Sequence, residues 1–194
     1  SGNTGGSGGP HLHFEFRDSL ERPINPLLFG YKLRDNIAPI MNAVQFYAMD
    51  EQKLSASNYR VTITGKAGDY NTSPSNIALN AKKIGVSINT FDRMEGTTSS
   101  LGIYSLSMTE NEREVYHFSL KRFSFPEKRY VLSQVDYTVF LKEGNKSFHK
   151  CFLDPANRLS CYEKIVDNGL LDISDGKIHQ LKITATDFAG NNSI

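Results

Sequence analysis

The sequence predicts a mainly β protein whose larger part, residues 40–194, folds as an antiparallel β-sandwich. Short stretches rich in β-branched and aromatic residues recur in this region, each bounded by Gly, Asn, Asp or Ser. No long amphipathic helical pattern separates these stretches, as it would in a protein with a parallel sheet. The region exceeds the roughly 100 residues of a minimal sandwich, so we expect extra strands or an inserted hairpin.

Six stretches carry the strand pattern most clearly. They span residues 43–48, 59–64, 85–90, 103–108, 114–120 and 178–186. Residues 130–141 fit either a strand or a short helix that begins near Ser133, because their apolar residues do not alternate cleanly. Residues 90–100 are mostly polar and predict a loop at the rim of a sheet.

The charge balance excludes several classes of partner. The 194 residues carry 22 Lys and Arg against 21 Asp and Glu, a net charge of +1. Broad electrostatic binding to nucleic acid or to anionic membranes needs a strong basic excess, so we expect neither. No apolar run approaches the roughly 20 residues that a membrane span needs, and the 12 Phe and 9 Tyr provide ample material for a packed core.

The two cysteines leave two readings open. Cys151 and Cys161 flank a stretch with an Asp-Pro pair and an Asn, which suits two strands that meet across a turn. The pair could form a disulfide in an oxidising compartment, or remain two partly buried thiols that never meet. A metal site here would need more ligands, and His149 is the only one nearby, so we do not expect zinc at the cysteines.

The N-terminal stretch begins as a Gly- and Ser-rich segment of the kind that forms flexible linkers. Residues 11–17 then alternate strictly between polar and apolar, which predicts a strand. His11 and His13 would share its polar face with Glu15 and Arg17, while Leu12, Phe14 and Phe16 would share the apolar face. The prolines of the P-I-N-P sequence at residues 23–26 exclude a central strand and close this unit.

Two histidines at positions i and i+2 of a strand project in the same direction, about 6–7 Å apart. One imidazole can then bind a metal while the other acts on the metal-bound water, whose pKa zinc lowers to about 7. Taken alone, the H-x-H pattern more often marks two surface histidines without a catalytic role. The surrounding motifs favour the catalytic reading.

The N-terminal motifs resemble one family. G-N-T-G at residues 2–5, Ser7, G-P-H-L-H-F-E-F-R at residues 9–17 and P-I-N-P together look like the closing segment of the lysostaphin/LytM-type zinc endopeptidases, which cut peptide bonds in bacterial peptidoglycan. The match covers residues 2–28. It implies that His13 is a zinc ligand and that His11 acts on water or stabilises the tetrahedral intermediate.

The chain also departs from that family. The family's other zinc ligands come from an upstream H-x-x-x-D segment, and the residues before His11 do not contain one. His149 and Asp154 have a loosely similar spacing in an unrelated context, and we do not expect them to substitute. We therefore expect zinc in a longer parent enzyme, but neither zinc binding nor activity in this chain alone, since a zinc site with one protein ligand is not competent.

The resemblance sets an expected domain organisation. Residues 1–28 form the last strand and turn of a truncated β-rich peptidase domain, residues 29–39 a linker, and residues 40–194 the sandwich. Residues 85–96 and 101–106 resemble the domain that follows the peptidase in some Bacteroidetes envelope proteins. The chain's end resembles the last strand of many bacterial immunoglobulin-like modules, which implies an immunoglobulin-like sandwich.

Several single residues carry weaker expectations. Phe91, Asp92, Arg93 and Tyr104 could line a binding surface at a loop rim, but we favour an Asp92–Arg93 ion pair that shapes a turn. Asp187 could contribute to a calcium site, but a turn-forming role is favoured. We expect His117 and His179 to be structural, hydrogen-bonded residues.

Two functions remain in view. In the first, the chain is the C-terminal part of a zinc metalloendopeptidase in the bacterial periplasm or cell envelope, with the stem or cross-link peptides of peptidoglycan as its partners. In the alternative, the chain is a noncatalytic β-sandwich module that binds a glycan, a peptide or an envelope protein. The sequence leaves the cleaved bond, the ligand of the sandwich and the oligomeric state open.

Overall fold

A computed structural model describes residues 8–31, 34–50, 53–144 and 146–194, with side-chain surroundings for all of these except residues 50 and 53–58. With 41% of residues in strands and 13% in helices, the chain is mainly β, and its strand pairs are antiparallel. This confirms the predicted fold class. The G-N-T-G and Ser7 motifs lie outside the described residues.

The secondary structure follows the chain in this order. The strands are β1 (Phe16–Arg17), β2 (Pro23–Ile24), β3 (Ile40–Asp50), β4 (Lys53–Lys66), β5 (Asp69–Ser73), β6 (Lys83–Phe91), β7 (Ser105–Glu110), β8 (Arg113–Ser119), β9 (Phe148–Lys150), β10 (Tyr162–Ile165), β11 (Leu171–Asp172), β12 (Leu181–Thr186) and β13 (Asn192–Ser193). The α-helices are α1 (Lys128–Val131) and α2 (Tyr137–Lys142), and the 3-10 turns span Pro26–Phe29, Phe125–Glu127, Leu132–Gln134 and Asp167–Gly169. None of the described helices is long and apolar enough to cross a membrane.

Two sheets enclose one core. The first has the order β11-β6-β3-β4-β5, with β9 also paired to β6, and the second has the order β10-β8-β7-β12-β13. Fully buried side chains from both sheets meet between them, among them Val86 and Ile88 of β6 and Leu106, Met108 and Tyr116 of β7 and β8. This single shared core makes the two sheets a sandwich.

Strand β6 is buried on both faces, which is unusual for a sandwich strand. Its burial extends without interruption over residues 84–90. An insertion between β8 and β10, which carries α1, α2 and β9, covers the outer face: Phe152 packs on Gly85 and meets the Tyr47 ring at a centroid distance of 5.4 Å. This insertion accounts for the length beyond a minimal sandwich.

A buried hydrogen-bond network fixes the insertion on the sheet. The Tyr47 hydroxyl donates to Asp136 Oδ2 at 2.7 Å and lies 2.9 Å from Ser87 Oγ. Asp136 Oδ1 accepts from the Val139 N–H at 3.1 Å and so caps α2. Residues 130–141 are thus mainly helical, as the second of the two predictions had it. Val135 forms a single β-bridge with His149.

The predicted strands match the observed ones with shifted ends. Within the predicted stretch 103–108, the strand begins only at Ser105. Within 178–186 it begins only at Leu181, since Ile178 is 89% exposed and lies outside the sheet. The sequence does not predict the strands β5, β9, β10, β11 and β13 of the sandwich. They are short or polar and pair at sheet edges, where local patterns are weak.

The structure contains Cys151 and Cys161 as two buried free thiols. Burial raises the pKa of both thiols, that of Cys161 to about 11. Cys161 Sγ lies 3.4 Å from the Arg122 carbonyl oxygen, and both side chains belong to the core between the sheets. Of the two predictions for the cysteines, the structure matches the one with two separate thiols.

We expect Gly169→Ala to destabilise the fold strongly, because a Cβ there would lie 2.3 Å from the Cys151 carbonyl oxygen and 2.7 Å from Phe152 Cα. Gly176→Ala is the matched control, since its φ of +69° resembles the +74° of Gly169 but nothing lies within 4 Å. Urea denaturation should show a loss of about 1 kcal/mol for the control and about 3 kcal/mol or more for Gly169→Ala. Equal losses would contradict the close contact.

Candidate functional site

The N-terminal unit, residues 8–31, has less regular structure than its alternation predicts. The predicted strand over residues 11–17 is regular only at β1, which pairs with β2. The two predicted faces nevertheless hold. Arg17 Nε donates to Glu15 Oε1 at 2.8 Å on the polar face, and the Phe14 and Phe16 rings meet at a centroid distance of 5.2 Å on the other.

His11 and His13 lie on the surface of this unit. His11 is exposed, with Nδ1 3.0 Å from the Gly9 carbonyl oxygen. The His13 side chain is 74% exposed, and its Nε2 lies 3.7 Å from Glu15 Oε2. Within residues 8–31, 34–50, 53–144 and 146–194, neither histidine belongs to a group of three or more side chains at metal-ligand spacing. The described residues therefore do not make a zinc site by themselves, and the roles of His11 and His13 stay predictions.

The P-I-N-P turn attaches the N-terminal unit to the sandwich. Asn25 Oδ1 accepts from the Leu27 N–H at 3.0 Å and caps the 3-10 turn that Pro26 begins. The Asn25 backbone N–H donates to the Lys121 carbonyl oxygen at 2.8 Å, and Asn25 Nδ2 donates to the Leu120 carbonyl oxygen at 3.2 Å. The Asn of this motif thus both forms the turn and docks it.

Charged side chains flank the same attachment. Asp18 pairs with Arg22 at 2.6 Å and with Arg122 of the sandwich at 3.6 Å. Hydrogen bonds from Arg22 lower the pKa of Asp18 to about 2, so this carboxylate stays ionised in neutral solution. The Arg17 guanidinium lies over the Phe125 ring at 5.0 Å.

Four aromatic rings form a partly exposed cluster, here called the aromatic face and defined by Phe14, Phe16, Phe29 and Tyr31. Phe16 stacks on Phe29 at a centroid distance of 4.1 Å, and Phe14 meets Tyr31 at 5.9 Å. Phe14, Phe29 and Tyr31 remain 55%, 51% and 49% exposed. Leu12, beside them in sequence, is 80% exposed. The sandwich leaves much of this apolar surface in water.

A second group lies at the start of the sandwich. Oxygen atoms of Asp35, Asp92 and Asp187 all lie within 4.8 Å of one another, and we call these three residues the acid cluster. Burial and the neighbouring carboxylates raise the pKa of Asp92 to about 6. The sequence singled out Asp92 and Asp187 separately but gave no sign that Asp35 joins them, since the three lie far apart along the chain.

The expected Asp92–Arg93 ion pair is not formed. The Arg93 guanidinium lies over the Phe91 ring at 5.5 Å, and only the backbone N–H of Arg93 reaches the Asp92 carboxylate. The turn-forming role of Asp187 is confirmed, because its Oδ1 accepts the N–H groups of Gly190 and Asn191 at 2.8 and 2.9 Å.

The remaining histidines are held by local partners. His179 bonds Glu110 through Nδ1 at 2.7 Å and Asp175 through Nε2 at 2.9 Å, and His117 Nδ1 lies 3.3 Å from Glu114. These contacts agree with the structural role expected for both. Asp154 pairs with Lys150 rather than with His149, so the spacing of His149 and Asp154 does not produce a ligand pair.

Two histidines should make opposite contributions to the pH dependence of stability. The carboxylates of Asp175 and Glu110 raise the pKa of His179, so its contribution is complete below pH 6.5 and is lost as the pH rises through the raised pKa. Burial lowers the pKa of His149 to about 4, so its contribution is present above pH 6.5 and is lost as the pH falls toward 4.

Proton NMR of the two imidazoles checks this, with His179→Gln and His149→Gln for assignment. The His179 signal should titrate with a midpoint above 6.5, and the His149 signal should stay unchanged down to about pH 5. In urea denaturation, the free energy of unfolding should fall less for His179→Gln than for the unmodified chain as the pH rises above 6.5. Below pH 6.5 the two chains should change alike. Titration of both imidazoles near pH 6.5 would contradict the burial and the ion pairs described.

Comparison with protein-family models, with curated proteins and with solved structures found no match to this chain. The family resemblance therefore continues to depend on the quoted N-terminal motifs.

Proposed function

We propose that this chain is the C-terminal part of a bacterial cell-envelope zinc metalloendopeptidase that acts on peptide bonds of peptidoglycan. Its N-terminal unit contributes His13 as a metal ligand and His11 as the histidine that acts on water or on the tetrahedral intermediate. The remaining ligands come from protein outside these 194 residues. The sandwich carries this unit and holds it in position.

The observation that carries the proposal is the placement of the H-x-H segment. The His13 side chain is 74% exposed while Asn25 docks the unit on the sandwich, so the proposed ligand lies at the surface of a unit that is held in place. A zinc site that acts on a peptide bond needs three protein ligands and an open position for water. The resemblance assigns one ligand to this chain, so the count requires others.

The aromatic face supports the same conclusion. Three of its four rings, those of Phe14, Phe29 and Tyr31, are about half exposed. Apolar surface of this kind is typical of a side that packs against more protein. We propose that the remainder of the peptidase domain covers it, since that domain's core must lie beside its last strand.

One observation favours the alternative of a noncatalytic binding module. An open cavity of about 280 Å³ lies beside α2, away from His11 and His13. Its lining includes Tyr137 and Thr138, which are exposed, and the Lys150–Asp154 ion pair. A pull-down with peptidoglycan sacculi separates the two functions: binding that Tyr137→Ala abolishes and His13→Ala leaves intact favours the module.

The gene that encodes this chain provides the first test of the enzyme. An H-x-x-x-D motif and a further histidine encoded upstream of residue 1 in the same reading frame support the proposal. An open reading frame that holds neither motif contradicts it. Where the motif is present, His13→Ala in the complete protein should lower peptidoglycan cleavage at least about 100-fold, and His11→Ala about 100- to 10,000-fold.

His117→Ala is the matched control, because this imidazole pairs with Glu114 in the sandwich and its loss should leave cleavage unchanged. Loss of cleavage in the control, or full activity of His13→Ala, would contradict the assignment.

Zinc titration of the 194-residue chain tests the ligand count. We expect no zinc site tighter than about 1 µM at His11 and His13, because these residues provide too few ligands. The His11 and His13 proton resonances report binding there separately from any binding at the acid cluster. Stoichiometric nanomolar zinc that shifts these resonances, with cleavage of peptidoglycan, would overturn the view that ligands are missing.

A further inference from the structure

The acid cluster brings together three distant parts of the chain. Asp35 belongs to the connector that precedes β3, Asp92 follows the end of β6, and Asp187 follows the end of β12. One strand of each sheet thus places a carboxylate at the point where the connector enters the sandwich. Neither His11 nor His13 takes part, so this site is independent of the proposed peptidase.

Two of the three carboxylates are fixed by hydrogen bonds. Asp35 Oδ1 accepts from the Ile37 N–H at 3.0 Å, and Asp187 accepts from the Gly190 N–H, the Asn191 N–H and Asn191 Nδ2. Asn191 Nδ2 also donates to the Asp35 carbonyl oxygen at 3.1 Å, which ties the connector to the turn after β12. The carboxylates are therefore held in place before any ligand arrives.

Asp92 differs from the other two. It is 5% exposed, and its Oδ1 is buried with no hydrogen-bond partner among the described residues. An ionised oxygen removed from water without a partner is costly, and two further carboxylates within 4.8 Å increase the cost. A cation bound among the three carboxylates would compensate this cost.

The described side chains do not supply a positive partner. Within residues 8–31, 34–50, 53–144 and 146–194, no Lys, Arg or His forms an ion pair with Asp35, Asp92 or Asp187. The basic residues next to the cluster in sequence contact other groups: Arg93 lies over Phe91, and Arg34 pairs with Glu95 at 3.4 Å with its side chain 88% exposed.

We propose that Asp35, Asp92 and Asp187 bind one calcium ion, which links the connector to both sheets of the sandwich. Hard divalent cations prefer oxygen ligands, and the three carboxylates supply only oxygen. Calcium–oxygen distances of about 2.3–2.6 Å allow ligand oxygens to lie up to about 5 Å apart, which the observed separations satisfy. Magnesium usually keeps several waters and is bound through one or two carboxylates, so three carboxylates favour calcium.

The calcium ion has a structural consequence. Asp35 is the connector's contribution to the site, and its neighbours Arg34 and Asn36 both contact Glu95 in the loop after β6. Fixing Asp35 therefore fixes the segment between the N-terminal unit and the sandwich. In the presence of calcium, backbone amides of residues 34–38 should exchange hydrogen more slowly, while those of the β7–β8 turn, at the opposite end of β12 from Asp187, should not change.

Calorimetry and thermal melting of the 194-residue chain test the site directly. After treatment with a chelator at pH 7.5, calcium chloride should bind with one-to-one stoichiometry. The melting temperature, followed by circular dichroism, should rise by about 5 °C at a calcium concentration a hundred times the dissociation constant. Magnesium chloride at the same concentrations should produce a smaller shift.

The variant Asp92→Asn separates loss of the site from loss of the fold. It removes a buried negative charge beside two others, so the calcium-free variant should melt at the same temperature as the unmodified chain or higher. It should no longer respond to calcium. Asp69→Asn, which makes the same change at an exposed carboxylate in β5, is the matched control and should respond fully.

Three results would overturn the proposal. The first is a chain whose melting temperature does not change up to about 10 mM calcium, about ten times the weakest dissociation constants of protein calcium sites. The second is an Asp92→Asn variant that still binds calcium as the unmodified chain does. The third is a melting temperature that rises with magnesium but not with calcium, which would show that the site binds the smaller ion instead.

Discussion

The burial of strand β6 on both faces is the constraint on which the rest of the structure depends. A strand in this position removes its polar side chains from water, and each must then find a hydrogen-bond partner. Ser87 meets the Tyr47 hydroxyl, Asn89 bonds Asn42 and the Ser147 carbonyl oxygen, and Thr90 donates to the Ile40 carbonyl oxygen. Asp92, two residues further on, is the exception, with an oxygen that no described residue satisfies.

This pattern connects the insertion, the connector and the acid cluster. The insertion with α2 and β9 lies on the outer face of β6, where Asp136 and Ser147 accept hydrogen bonds from Tyr47 and Asn89. The connector reaches the end of β6 and places Asp35 beside Asp92. Asn25 docks the N-terminal unit on the segment directly after β8, and the connector places Asp35 beside the end of β6. A cation at Asp35 would therefore restrain a segment already docked at Asn25.

Sequence patterns predicted the sandwich because its central strands carry long β-branched and aromatic runs, as in residues 85–90 and 114–120. They missed β5 and β10, whose residues are largely polar and pair only at edges, and they overextended the strand at residues 11–17, where β2 offers a two-residue partner. Alternation reveals which side chains share a face, but the length of a strand depends on a partner that local sequence does not show.

The candidate sites differ in the same way. His11 and His13 are neighbours in sequence, so their motif was visible, and the structure adds only their exposure and the docking by Asn25. The acid cluster could not have been predicted, because Asp35, Asp92 and Asp187 meet only after both sheets have formed. The sequence favours only a turn-forming role for Asp187. It predicts that Asp92 pairs with Arg93, the nearest opposite charge in sequence. Tertiary packing directs Arg93 to Phe91 instead.

A crystal structure of this chain grown in calcium, with anomalous scattering measured at a long wavelength, tests the central claim most directly. The account predicts one anomalous peak within about 2.3–2.6 Å of Asp92 Oδ1 and of an oxygen from both Asp35 and Asp187. A structure without that peak, in which a protonated Asp92 donates to a neighbouring carboxylate, would contradict it.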